Sequence, residues 1–168
     1  MNYNLIVAMC EGRGIGYKGK IPWYRKQDLL NFSKLTKGNG DNAVIMGSTT
    51  WKSLPKQVLP ERDNLVLSTT IKNHSLMNDD HVVKLFSDID TIIDFCDLMQ
   101  YDDVWIIGGE SIYKQFLDKN IVKKCYISTI EDYYKCDTFF PELNEQEWKT
   151  IDTFTLSDTT KVEVKERL

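Results

Sequence analysis

Asp28 is the residue on which the chemistry of this sequence turns. Asp28, Phe32 and Leu35 stand at i, i+4 and i+7, the spacing of one helix face, with Leu29 beside them. A carboxylate therefore shares a face with apolar side chains. Burying it ionised is costly unless a cation or several hydrogen-bond donors meet it. No residue nearby in sequence is an obvious partner, and a ligand would serve. The other reading is an aspartate in the first turn of a helix, where the macrodipole favours negative charge. This stretch alone leaves both open.

Three apolar runs end in turns suited to phosphate. Gly47-Ser48-Thr49-Thr50 and Gly108-Gly109-Glu110-Ser111 each place free backbone N–H groups at a helix start, and Ser68-Thr69-Thr70 adds hydroxyls after a third run. In an open α/β sheet such ends share one edge, where ligands bind. Any one of them could be an ordinary capped joint; three together suit a phosphate-rich cofactor. The P-loop pattern GxxxxGK[ST] does not occur. Arg62 follows a proline-flanked loop and could clamp a carboxylate bidentately, although an isolated loop arginine is most often solvated. The only histidines, His74 and His81, lie in one polar stretch and suggest no nucleophilic triad, and no His/Cys cluster has metal-ligand spacing.

The elements that must hold these residues follow from pattern. Tyr3 to Met9 reads as a buried strand, leading into a loop, Cys10 to Gly19, with four glycines. Pro22 keeps the chain extended up to Trp23, and a helix from about Arg25 stops at Lys37-Gly38. Further strands are expected at Asn42–Met46, Leu65–Leu67, Val82–Phe86, Val104–Ile107 and Lys124–Ile130, with helices after Gly47, after Ser87 or Asp88, and from Ser111 to Leu117. Lys72 to His81 reads as a polar surface connection and Tyr133 to Pro141 as a loop. Trp148–Phe154 and Val162–Arg167 alternate like two strands of a hairpin turning at Ser157 to Thr160. The order predicts one α/β domain with a largely parallel sheet and an antiparallel edge.

At 168 residues, 42% hydrophobic and 27% charged, the chain is sized for a single globular domain, residues 1–168. A net charge of −4 argues against nucleic acid as a partner, and no apolar run reaches membrane-spanning length. Met1 to Asn4 carries no basic region before the first apolar run, so no secretory signal is expected. Cys10, Cys96 and Cys125 lie in apolar surroundings that suit reduced thiols, without CxxC spacing, which points to a cytoplasmic location.

Taken together these residues resemble dihydrofolate reductase over nearly the whole chain. The resemblance rests on Ile15-Gly16, Pro22-Trp23, Asp28-Leu29, Phe32, Val44-Ile45-Met46-Gly47 with Thr50-Trp51, Arg62, Asn64 to Ser68, Ile107-Gly108-Gly109 with Ile112-Tyr113, and Asp137-Thr138 with Phe140-Pro141. It implies a mixed, mostly parallel eight-stranded sheet flanked by helices, with an antiparallel C-terminal hairpin. It implies hydride transfer from NADPH to the pterin ring of dihydrofolate, supporting one-carbon metabolism and thymidylate synthesis, in a monomer that also binds antifolate-like molecules.

By position, the resemblance gives Asp28 the pterin amino group and ring nitrogen, with Trp23 and Ser128 as its catalytic companions; Ser128 stands where the family usually has threonine. Ile6, Val7, Ala8, Leu29, Phe32, Thr50, Leu54, Leu59, Ile107 and Tyr113 would line the substrate pocket, and Arg62 would hold the glutamate-tail carboxylate. Ala8, Ile15, Gly16 and Ile107 would meet the nicotinamide side. Gly47, Ser48, Thr49, Thr50, Ser68, Thr69, Gly108, Gly109, Glu110, Ser111, Ile112 and Tyr113 would take the rest of the cofactor, and no metal is implied. In the family the Gly108–Gly109 peptide is typically cis, and Cys10 to Tyr24 resembles a loop that closes over the nicotinamide. Two departures stand out. Ser48 and Ser111 replace residues that are often basic, which leaves the 2′-phosphate to neutral hydroxyls, Lys52 or Lys72, and Ile21 stands where Met or Leu is common. The same fold also carries other pterin and pyrimidine reductases, and a folate- or nucleotide-binding relative without turnover is a different class of alternative.

Overall fold

The apolar runs fold as strands of one sheet, and the glycine- and serine-ended turns between them launch helices. The computed structural model describes residues 1–70, the backbone of 75–78, and 81–168. In chain order the elements are β1 (Asn2–Met9), β2 (Gly14–Gly16), α1 (Lys26–Lys37), β3 (Ala43–Gly47), α2 (Ser48–Ser53), β4 (Asp63–Leu67), β5 (Ser75–Asn78), β6 (His81–Phe86), α3 (Ile89–Met99), β7 (Asp103–Gly108), α4 (Glu110–Asp118), β8 (Val122–Ile130), β9 (Thr138–Phe139), β10 (Trp148–Ser157) and β11 (Thr160–Arg167).

Among the described residues the main sheet runs β10-β11-β8-β1-β7-β3-β4-β6-β5. The five pairings from β8 through to β6 are parallel, and the C-terminal hairpin β10–β11 is antiparallel. This is the expected mixed sheet of eight strands, with β5 added antiparallel beyond β6. That addition corrects the reading of Lys72 to His81 as a plain connection. Ser75–Asn78, at four residues, is too short to show strand periodicity, and an edge position needs none. Lys72 and His74 lie outside the described residues.

The second correction concerns the glycine-rich segment and the Tyr133–Pro141 loop. Gly14–Gly16 and Thr138–Phe139 pair antiparallel as β2 and β9, in a small sheet of their own. Strands of two and three residues are too short to leave a pattern. Asp137 closes the pair, its N–H donating to the Gly16 carbonyl at 2.9 Å and its side chain accepting from the Lys18 N–H at 3.0 Å.

The parallel strands are buried on both faces, which is why they read as unbroken apolar runs rather than alternations. Leu5 and Val7, Ala43 and Ile45, Leu65 and Leu67, and Val104 and Ile106 face one core cluster, with Ile92 and Cys96 of α3 and Ile112 and Phe116 of α4. The intervening Ile6, Val44, Met46, Val66 and Trp105 face the other, against Phe32 and Leu35 of α1 and Trp51 of α2. Helix thus covers both faces, and α1 brings Asp28 to the second. Gly38 ends α1 at φ 51°, the positive-φ stop that glycine tolerates. Asp88 caps α3 by accepting from the Thr91 N–H at 2.8 Å. No helix among the described residues is long and apolar enough to cross a membrane.

Candidate active site

Register places the chemistry-bearing residues at one edge of the sheet. Ala8 on β1 stands opposite Ser128 on β8, Met46 on β3 opposite Gly108 on β7, and Gly47 opposite Leu67 on β4. All are at or near the C-terminal ends of parallel strands, where an open α/β sheet offers its ligand crevice.

Asp28 lies in the first turn of α1, half-buried, near Ser128. Loss of water pushes its carboxyl above the usual aspartate range, and a hydrogen bond from the Ser128 hydroxyl draws it part of the way back. No cation pairs with it among the described residues. Both sequence readings are therefore partly right: the residue is in a first helical turn, and it is also desolvated without a counter-charge. Ser128→Ala removes the interaction that lowers the carboxyl, so the limb of the pH–rate profile set by Asp28 should move to higher pH, while Ser128→Thr keeps it in place. Profiles of kcat/KM against pH check this, and a limb unmoved in the alanine variant would remove Ser128 from the site.

Around Asp28 the walls are apolar. Phe32, Leu54, Leu59 and Ile107 are partly buried against the cluster that holds Ile6, and Leu29 is 48% exposed beside them. Ala8 and Ile15 are half-buried at the same edge. Val7 departs from this group. Its side chain faces the α3–α4 cluster, so only its backbone faces the crevice edge. Ile112 also packs into that cluster, under Gly47, where an added Cβ would come within 3.0 Å of its Cγ1. Tyr113 is buried, and its hydroxyl reaches the carbonyls of Ile6 at 2.8 Å and Ile107 at 3.0 Å. It ties β1 to β7 beneath the crevice, and burial raises its phenol well beyond the ordinary range.

Arg62 is not a solvated loop arginine. It is 2% exposed, with Nε donating to the Pro60 carbonyl at 2.9 Å and Nη1 to Thr36 Oγ1 at 2.8 Å. Burial draws its pKa down to about 10, with Glu61 opposing, so it is still a cation at neutral pH. Lys37 engages Glu61 at 3.0 Å, and Arg62 forms no ion pair among the described residues. A buried guanidinium with no ion-pair partner among the described residues is placed to take a carboxylate bidentately. Sequence reasoning missed the residues that aim it. Thr36, on the last turn of α1, receives Arg62 and donates to the Phe32 carbonyl at 2.8 Å. Asn64 holds both Leu59 N–H (2.8 Å) and Leu59 C=O (2.9 Å), fixing the loop before Arg62. A polar Thr36 on the same face as Asp28 was the available signal.

The cofactor side is built from uncapped helix starts. Gly47 precedes α2 and Gly109 precedes α4, each without a side-chain cap. The Gly108–Gly109 peptide is cis, and Gly108 has φ 120°, which side chains rarely adopt. A Cβ on Gly109 would lie 3.8 Å from Thr50 Oγ1, so the two turns adjoin. Gly19 approaches from the loop, its Cβ position 3.6 Å from Thr49 Cγ2. Ser48 is half-buried and Thr69 exposed. Ser68 is buried and accepts from the Thr70 N–H at 3.3 Å. Ser111 accepts from Gln115 at 3.0 Å. Glu110 is used elsewhere, its carboxylate accepting from the Phe139 N–H at 2.7 Å. Lys52 is exposed on the last turn of α2.

The dihydrofolate reductase family model matches residues 2–166. The chain belongs to the dihydrofolate reductase family. It is 37% identical over 150 residues to the dihydrofolate reductase of Drosophila melanogaster, covering 85% of this chain and 81% of that one. It is 34% identical over 148 residues to that of Aedes albopictus, covering 84% and 80% respectively. To the dihydrofolate reductase of Gallus gallus it is 33% identical over 156 residues, covering 88% and 82%. The members of this family use a nicotinamide cofactor, and the paired glycine turns at the sheet edge, with free N–H groups and no side chain in the way, suit its phosphates.

Proposed function

We propose that the chain works as a single domain on dihydrofolate with NADPH, that Asp28 is the carboxylate holding the pterin, and that Arg62 holds the glutamate tail. Membership of the family makes it an oxidoreductase that reduces dihydrofolate to tetrahydrofolate with a nicotinamide cofactor. The observation that carries the assignment is Asp28 itself, a desolvated carboxyl with no cation paired to it among the described residues, backed by a hydroxyl at the edge where the strands end.

Reduced nicotinamide, when bound, supplies the hydride. The residues of this chain do the rest. Asp28 accepts hydrogen bonds from the pterin amino group and ring nitrogen. A carboxylate raised in this way is a stronger base, and its charge favours the protonated imine nitrogen beside the carbon that is reduced. Water delivers that proton, and Trp23 stands where the extended segment meets α1 to order it. Ile6, Leu29, Phe32, Leu54 and Leu59 clasp the substrate, and Thr50, Ile107 and Tyr113 shape the floor between substrate and cofactor. Ala8, Ile15 and Gly16 border the nicotinamide, and the Cys10–Tyr24 segment covers it, excluding water and aligning donor with acceptor. Gly47, Thr49, Gly108 and Gly109 cradle the pyrophosphate. The enzyme is read as a cytoplasmic monomer.

The choice of NADPH rests on Ser48, Ser68 and Thr69 with Lys52 nearby. Neutral hydroxyls in place of charged contacts give up about half the strength of each hydrogen bond. The preference for NADPH over NADH should therefore be smaller by ~10–10³-fold than in an arginine-bearing relative. It should shrink further with salt and in Lys52→Ala. Measuring kcat/KM for both donors, with and without dihydrofolate and at two ionic strengths, tests the reading. Oxidation that is independent of dihydrofolate would overturn the substrate, and a strong, salt-insensitive preference untouched by Lys52→Ala would overturn the phosphate site.

A further inference from the structure

We infer that Tyr134 is a positioning residue for Trp23 and Asp28, holding from outside the turn that joins them. This inference rests on the catalytic reading of Trp23 and Asp28 given above. Helix α1 has no local anchor at its start. Its N-cap is Arg25, which makes no side-chain cap bond, so the first turn carrying Asp28 depends on something else for its placement. The segment after β8 provides it. The Tyr134 ring lies 5.4 Å from the Trp23 ring at 48°. On the other side of the turn, Arg25 Nη2 donates to the Tyr134 hydroxyl at 3.2 Å, and the guanidinium sits 6.0 Å over the same ring. One side chain thus grips both flanks, Trp23 by its face and Arg25 by its polar tip.

The anchor is itself fixed. The Cys10 thiol donates to the Tyr134 carbonyl at 3.8 Å, and Asp137 pins the same segment to Gly16 and Lys18. Asp132, itself exposed, adds a weaker tie to the half-buried Arg25 at 3.9 Å, which counts for little. The strand that feeds this segment, β8, also carries Ser128, which bonds Asp28. The carboxyl is therefore placed by one structural unit at two points, through Ser128 from within and through Tyr134 at the helix start. An aromatic pair of this kind shifts an equilibrium by about two- to ten-fold. That is enough to change the fraction of molecules with Trp23 and Asp28 in working geometry.

The test is hydride transfer in single turnover, with steady-state kcat and KM, for Tyr134→Leu, Tyr134→Phe and Arg25→Met. Tyr134→Leu should slow hydride transfer about three- to ten-fold and lower kcat, with KM and NADPH affinity held within about two-fold. Tyr134→Phe keeps the ring and should restore most of the rate. Arg25→Met loses only the polar tie and should lower kcat less than Tyr134→Leu does. Combined with Trp23→Leu, Tyr134→Leu should cost less than it does alone, since its ring contact with Trp23 is already gone and only the tie to Arg25 is left to lose. Losses that multiply, or a Tyr134→Leu enzyme that transfers hydride at the wild-type rate, would overturn the inference, and Arg25→Met at wild-type kcat would remove the helix-start half of it. A wild-type protein that fails to oxidise NADPH in response to dihydrofolate would instead overturn the reading on which the inference rests.

Discussion

Asp28→Asn should lower turnover at neutral pH by ~10²–10⁴-fold, the range for loss of a positioned acid–base group. The substitution keeps shape and removes the charge that favours a protonated pterin. It should also stabilise the protein, and the sign can be worked out. The carboxyl is raised in the folded state, because burial outweighs the hydrogen bond from Ser128. The folded form therefore holds its proton to higher pH than the unfolded form does. Below the unfolded value Asp28 costs nothing. As pH rises from there through the folded value, stability is progressively lost. Asp28→Asn should accordingly match wild type in Tm at acid pH and exceed it at neutral pH. Thermal melts across that range check the second half and turnover assays the first. Near-wild-type turnover with the fold intact would end the assignment of Asp28.

Arg62→Leu should weaken dihydrofolate binding by roughly ten- to a hundred-fold and leave NADPH binding nearly unchanged, since a charge-assisted hydrogen bond is worth about 1.5–3 kcal/mol. The arginine is held by Pro60 and Thr36 rather than by an acid, so its charge is available to a ligand. Titrating each ligand separately reads the result. A substrate lacking the glutamate tail should be insensitive to the change. Equal losses for both ligands would mean that Arg62 serves the fold, through Thr36 and α1, rather than the substrate.

Much of this site was legible because its residues break a pattern. Asp28 stood out as a charge on an apolar helix face, and Gly108-Gly109 as a pair of glycines ending a buried run. The apolar runs marked the parallel strands because both faces of each are covered, one by α1 and α2 and the other by α3 and α4. That same burial hid the facing of each side chain. Val7 and Ile6 are neighbours of like character, and only the sheet separates them into opposite clusters. Short pairings such as β2 with β9 leave no period at all. Arg62 looked like a surface residue because the partner that holds its guanidinium, Thr36, lies 26 residues away in sequence, where Asn42 in turn donates to the Thr36 carbonyl at 3.0 Å. Tyr134 gave no sign, since an aromatic in a polar loop acquires meaning only from what lies across from it.

The central claim is that Asp28 governs hydride transfer from NADPH to dihydrofolate. Its most direct test is single-turnover transfer from NADPH deuterated at the donated position, followed across pH in wild type and Asp28→Asn. The account predicts that deuterium appears at the reduced carbon of tetrahydrofolate. It predicts a wild-type rate that falls as pH rises, because the protonated imine is depleted. In Asp28→Asn the rate should be far lower at neutral pH and should approach wild type only where acid protonates the imine without help. Deuterium transfer at the wild-type rate and with the wild-type pH dependence in Asp28→Asn would contradict it.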